Sequence, residues 1–111
     1  MNAGDLNKRI AILLKQDAPD AGFDIESTYT EVAQAWARIE PVAGSVYYGS
    51  IQAENAVTHR ITIRSRRDLT ITADHVIEHK GSRYRVRRVS DVKGQGWATA
   101  IEAEELGAIN A

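Results

Sequence analysis

At 111 residues, 43% of them apolar and 26% charged, the chain has the size and balance of one globular domain with one modest core. It contains no cysteine, which excludes disulfides and thiolate metal sites, and no apolar run approaches the roughly 20 residues of a membrane span. The net charge of −1 conceals a division: residues 1–56 carry four basic and eight acidic side chains, 57–93 carry ten and four, and 94–111 carry three acids and no base. A chain so divided exerts no overall pull on nucleic acid. It can still present a basic face beside acidic ends, as would a subunit that stacks on copies of itself. Met1 to Arg9 has no signal-type apolar run, so a cytoplasmic protein is expected.

Lys8 to Lys15 reads as a strand, with Ile10, Ile12 and Leu14 at period two. Asp17-Ala18-Pro19-Asp20-Ala21-Gly22 follows as a turn-rich loop. Thr28 to Val42 is a second extended stretch. Its alanines at 33, 35 and 37 also permit a helix, and Pro41 ends it for want of a ladder donor. Residues 43–56 are the least strand-like part, a long loop or a weak helix with Ser45 as N-cap and with Tyr47 and Ile51 on one face.

Val57 to Arg64 is the clearest strand. Val57, His59, Ile61 and Ile63 point one way, and Thr58, Arg60, Thr62 and Arg64 the other. Val76 to His79 is a short strand, Lys80-Gly81-Ser82 a tight turn, and Arg83 to Val92 a further strand. Its alternation shifts near Arg87-Arg88-Val89, as at a bulge. Lys93-Gly94-Gln95-Gly96 turns the chain into a last strand, Trp97 to Glu105. The expectation is an all-β protein: one domain over 1–111, a small antiparallel barrel of about six strands, with a long loop or short helix between strands 2 and 3. Loops at about 17–27 and 43–56 are expected to be flexible, and the ends at 1–6 and 107–111 frayed.

The residues offer no catalytic set. His75 and His79 lie four apart on an expected strand, about 13 Å from each other, too far to share a metal unaided. His59, on the apolar face, reads as a buried neutral histidine bonded to a backbone group. Gly94 and Gly96 lack the strand–loop–helix context of a dinucleotide site. Glu102 and Glu104 read as a solvated edge or subunit contact. No enzyme, cofactor or metal is expected.

The arginines are the most informative charges. Arg60 and Arg64 share the polar face of one strand, and Arg83, Arg85 and Arg87 that of another. Were those strands close, they would form one broad basic surface, extended by Arg66, Arg67 and Arg88. Three readings stand: contact with a nucleic-acid backbone, contact with acidic patches on a neighbouring subunit, or a solvated face with weak ion pairs.

The order of these pieces resembles the head–tail joining, or head-closure, family of long-tailed phages. The resemblance runs from Lys8-Arg9-Ile10 to Glu105. It is carried by Trp36-Ala37-Arg38-Ile39-Glu40-Pro41, by Thr58-His59-Arg60-Ile61-Thr62-Ile63-Arg64, and by Gly81, Tyr84-Arg85-Val86 and Val89-Ser90-Asp91. It departs at Val46-Tyr47-Tyr48, where the family often has a glutamate, and at Tyr29, where a tryptophan is usual.

The resemblance implies a structural ring, commonly of twelve subunits, in the virion neck beneath the portal and adaptor proteins, assembled in the host bacterial cytoplasm. Such a ring holds packaged DNA in, touches it non-specifically if at all, and offers a surface to tail-completion proteins; no membrane is involved. The implied channel or partner loop maps onto Ser45, Val46, Tyr47, Tyr48, Ile51 and Gln52. The basic interface or DNA-facing residues would be Arg60, Arg64, Arg66, Arg67, Arg83, Arg85 and Arg87. The competing reading is an OB-like nucleic-acid-binding barrel using the same arginines.

Overall fold

Alternating apolar residues roll this chain into a barrel. A computed structural model describes residues 6–19, 25–52, 56–92 and 96–108. Strand β1 (Lys8–Pro19) and strand β2 (Ile25–Pro41) form a long antiparallel ribbon, followed by helix α1 (Gly44–Gln52). Then come β3 (His59–Arg64), β4 (His75–His79), β5 (Ser82–Asp91) and β6 (Ala98–Ala108). The strands close in the order β1-β2-β3-β6-β5-β4, every pair antiparallel.

Each strand sends alternate residues inward. Ile10 and Ile12 of β1, Ala37 of β2, Ile61 and Ile63 of β3, Ile77 of β4, Tyr84 and Val86 of β5, and Ile101 and Ala103 of β6 form one buried cluster, joined by Ile71 from the β3–β4 connection. Full burial of each isoleucine contributes roughly 1.5–3 kcal/mol, which makes this cluster the main stabilising element. Ala33 and Ala35 pack against it beside the buried Ala37, so the alanine series that also suited a helix is the inward face of a strand.

Both ribbon strands outrun their sequence boundaries. β1 continues through Asp17-Ala18-Pro19, which read as a turn, and β2 begins at Ile25. Pro19 is tolerated because it closes a strand that has a partner on one side only there. The expected loop residues Asp20-Ala21-Gly22 lie outside the described residues. β6 likewise runs on to Ala108, where a frayed end was expected, because Ser82 and Arg83 of β5 pair with Ala108 and Gly107.

Residues 44–52 take the helical alternative. The Tyr47 N–H donates to the Ala43 carbonyl at 3.0 Å, so Ala43 caps the helix and Ser45 lies inside its first turn, one correction to the sequence reading. The β5 irregularity falls where the alternation shifts, between Val86 and Arg88, and returns Val89 to the inner side opposite Ile101. His59 is half-buried and bonds side chains: its Nδ1 lies 2.9 Å from the Thr58 hydroxyl, and its Nε2 lies 3.7 Å from Glu105. The role expected of it belongs to His75, a buried residue whose Nδ1 accepts the Thr72 backbone N–H at 3.0 Å.

The β4–β5 hairpin closes on Lys80 and Gly81, whose φ angles of 46° and 81° are both left-handed. A two-residue turn of this hand matches the twist of the strands it joins. Nothing lies within 4 Å of a Cβ placed on Gly81, so backbone conformation alone requires glycine there. Gly81→Ala is therefore expected to cost about 1 kcal/mol or more, and Lys80→Gly to be neutral or slightly stabilising. Urea denaturation of the two variants measures both effects.

Candidate assembly surfaces

Helix α1 buries none of its side chains. Val46, Tyr48 and Ile51 stay 49%, 67% and 43% exposed, while Tyr47 is half-buried with its ring 5.4 Å from that of Tyr48, edge to face. Ser45 and Gln52 are exposed at the two ends. The helix is pinned at one point: Ser50 Oγ donates to the Tyr47 carbonyl at 2.6 Å and accepts the Val57 N–H at 2.9 Å. Beneath its first turn a shallow cavity is lined by Val46, Pro41, Val42, Glu40, Arg60 and Glu102. The six residues singled out in the sequence thus all lie on one short helix beside the barrel, spread around its circumference.

The arginines are distributed differently from the sequence picture. β3 and β5 do not touch, because β6 runs between them and brings its glutamates. In the ladder register Glu40 stands opposite Arg60, Arg60 opposite Glu102, and Glu102 opposite Arg88, a row of alternating charge across β2, β3, β6 and β5. Arg85 stands opposite Glu104 in the next register. The broad basic surface does not form. A checkered one does.

Two arginines expected to face solvent are structural. Arg83 is half-buried, binds Glu78 at 2.6 Å and lies 4.2 Å over the Tyr29 ring. Arg87, at the β5 bulge, binds Glu104 at 2.7 Å, and its Nε is buried without a hydrogen-bond partner. The irregular strand is the physical reason: a bulged residue no longer alternates outward with Arg83 and Arg85. Arg60, Arg64, Arg67, Arg85 and Arg88 are exposed, and among the described residues none of them forms an ion pair.

Arg64, Arg66 and Arg67 gather at one end of the barrel. Arg66 grips Asp68 through two bonds of 3.0 and 2.7 Å and donates a third to the Gln34 carbonyl. The Arg66 hydrogen bond, more than its charge, holds the Asp68 carboxyl below its usual range. Arg64 and Arg66 line a groove with Leu6, Asn7, Arg9, Gln34, Ala35 and Trp36. Trp36 is 53% exposed, and the Arg9 guanidinium lies 5.3 Å over its ring. The sequence reading missed this groove, although the signal was present: a tryptophan between two inward alanines must point outward.

The histidines stand apart from these surfaces. His75 and His79 stand at opposite ends of β4, and His79 Nδ1 is 3.0 Å from the Arg9 carbonyl, where it acts as donor. Among the described residues no three His, Asp or Glu side chains converge as a metal site would require. Tyr84 has its phenol pushed above its usual range, first by burial and then by Glu105.

Comparison with known proteins places the fold and the family. No curated protein matches the chain in sequence. Among solved structures it is similar to the solution structure of protein SF1141 from Shigella flexneri 2a, at 24% identity and a TM-score of 0.65, covering 94% of this chain and 96% of that one. It is also similar to a chain of the virion of a native gene transfer agent particle, at 13% identity and a TM-score of 0.63, covering 91% and 96%. These likenesses concern the fold. The family model for phage head completion proteins matches residues 1–106, nearly the whole chain, and the protein therefore belongs to the phage head completion family.

Proposed function

We propose that this chain is a neck subunit that closes the DNA-filled phage head: copies form a ring, as many as twelve, beneath the portal and adaptor proteins. The ring retains the packaged DNA and offers tail-completion proteins their attachment surface. Assembly takes place in the host bacterial cytoplasm, and no membrane takes part. The observation that carries the proposal is α1: a helix with no fully buried side chain that holds Val46, Tyr48 and Ile51 out to solvent. Tyr48 and Ile51, three apart and so on one face, offer exposed apolar area of the kind that marks a site for another protein. In the ring, this helix and its ends, Ser45 and Gln52, face the channel or the adjoining protein.

The charge pattern supports protein partners over DNA. A phosphate backbone favours an uninterrupted basic face. The row Glu40–Arg60–Glu102–Arg88 suits a surface carrying both signs, because alternating charge fixes register and rejects mismatched partners. Contact with packaged DNA is then confined to Arg64 and Arg67 and is non-specific.

Three outcomes are expected. Amide exchange in the free subunit should be fast across Val46–Gln52, since a nine-residue helix with no buried face opens at little cost, and slow once the head is complete. Strong protection in the free subunit would exclude a segment waiting for its partner.

Replacing residues 44–55 by a short Gly-Ser bridge should leave the barrel folded, because shortening a loop costs little entropy. Heads filled in its presence should leak DNA or fail to accept tails.

Arg85→Glu with Arg88→Glu should leave the melting temperature nearly unchanged while reducing the yield of completed particles. Arg83→Ala or Arg87→Ala should do the reverse, each losing about 1–2 kcal/mol of stability with its half-buried carboxylate left unpaired. Thermal melts and particle titres on the same variants separate the two classes.

A further inference from the structure

β2 and β3 run together only over Ala37–Pro41 and His59–Ile63. Beyond that pairing they part, and a groove of about 680 Å³ opens in the fork. Gln34, Ala35 and Trp36 form one bank of it and Arg64, Ser65 and Arg66 the other, with Asn7 and Arg9 also lining it. Its volume is in the range of sites that hold a ligand. The Trp36 ring is half open to solvent there.

The fork is also where β2 has an open edge. The Gln34 carbonyl points into it, since Arg66 donates to that oxygen at 3.0 Å. Main-chain groups of a strand change sides at period two, so the Trp36 peptide groups face the fork as well. Before Ala37 no strand pairs with that edge of β2. An open edge beside an exposed aromatic ring accepts an extended segment of another chain.

Three arginines and no acid are among the described residues that line the groove. Arg66 is paired with Asp68, and Arg9 lies over the Trp36 ring and donates to Gln34 Oε1 at 3.2 Å. Arg64 is exposed and forms no ion pair among the described residues. Its own subunit has little to offer it. Glu31, on the same strand as Trp36, is held by the Gln34 amide at 3.4 Å. Glu40, Asp68, Glu78, Glu104 and Glu105 each contact a basic side chain, and Asp91 accepts the Gly96 N–H. Of the other described acids, Glu102 stands between Arg60 and Arg88 in the ladder, and Asp74 is a single exposed turn residue. The carboxylate that complements Arg64 is therefore to be sought on another protein.

We propose that the Trp36 groove binds an extended acidic segment of a different protein of the particle. The main chain of that segment adds to the β2 edge, an apolar side chain covers the indole, and a carboxylate meets Arg64. This rests on the neck-subunit reading above and names the chemistry of one partner. Trp36 is the anchor, since tryptophan and arginine carry much of the binding energy of protein interfaces. The indole also separates this site from DNA: a phosphate backbone offers Arg64 charge but nothing apolar to cover the ring. Contact with DNA is thereby narrowed to Arg67.

Photo-cross-linking in completed particles tests this, with Asn7→p-benzoylphenylalanine in the groove, or Leu6→p-benzoylphenylalanine where the first label hinders incorporation. The expected result is an adduct to another virion protein, mapped by mass spectrometry to a stretch rich in Asp and Glu. Trp36→Ala should lower the adduct, or the yield of completed particles, roughly tenfold while barely shifting the melting temperature, because the ring is exposed. Arg64→Glu should lower particle completion by a similar factor, and an acid-to-lysine change in the mapped stretch should restore it. Labelled particles that give no adduct, an adduct only to DNA, or one only to further copies of this chain would each overturn the proposal and leave head completion intact. So would an adduct on a stretch without acids, or Trp36→Ala particles of unchanged yield and adduct. Heads that complete without any copy of the chain would instead remove the neck-subunit reading, and the site with it.

Discussion

Ile12, Ile61, Ile77 and Ile101 are all fully buried, and bringing them to one centre obliges the sheet to close on itself. Closure decides which strand stands beside which, and that decides the surface. With β6 set between β3 and β5, the acidic end of the chain is threaded through its most basic region. The two halves of the sequence that look electrically opposed are interleaved in the folded molecule. Charges that would repel if the arginine strands were neighbours are spaced by glutamates instead.

The same closure leaves the β1–β2 ribbon long and the helix unburied. Only the part of β1 beside β4 and the part of β2 beside β3 belong to the barrel wall. What remains is a two-stranded extension, tied to the far wall by Arg83 over Tyr29. α1 is a bridge from the end of β2 to the start of β3, held by Ser50 on the Val57 amide. Ribbon and helix both expose apolar residues that a lone globular protein would gain by burying.

Much of this was legible in the sequence, and the reasons differ by residue. Ile61 and Ile63 declared their strand because a one-residue slip would bury Arg60 and Arg64. The broken alternation at Arg87-Arg88-Val89 marked a true bulge, since two adjacent arginines cannot both alternate with Val86 and Val89. What stayed hidden depends on partners distant in the chain. Nothing local to Arg83 or Arg87 announces Glu78 or Glu104, and strand order is invisible to periodicity. His59 was given the burial that belongs to His75, because its apolar neighbours in the strand do not disclose that Glu105 and Thr58 flank its ring. Asp17-Ala18-Pro19 read as a turn because composition reports what a residue prefers. A strand edge with no neighbour relaxes that preference.

The helix has a consequence for how such a protein diversifies. Because α1 contributes no side chain to the core, its sequence is nearly free of folding constraint, while the isoleucines around it are not. Substitutions at Val46, Tyr48 or Ile51 alter what the subunit presents without altering whether it folds. A barrel built this way separates the residues that fix its shape from those it presents to solvent. Chains that keep the same inner rows can exchange the outer segment and keep the fold.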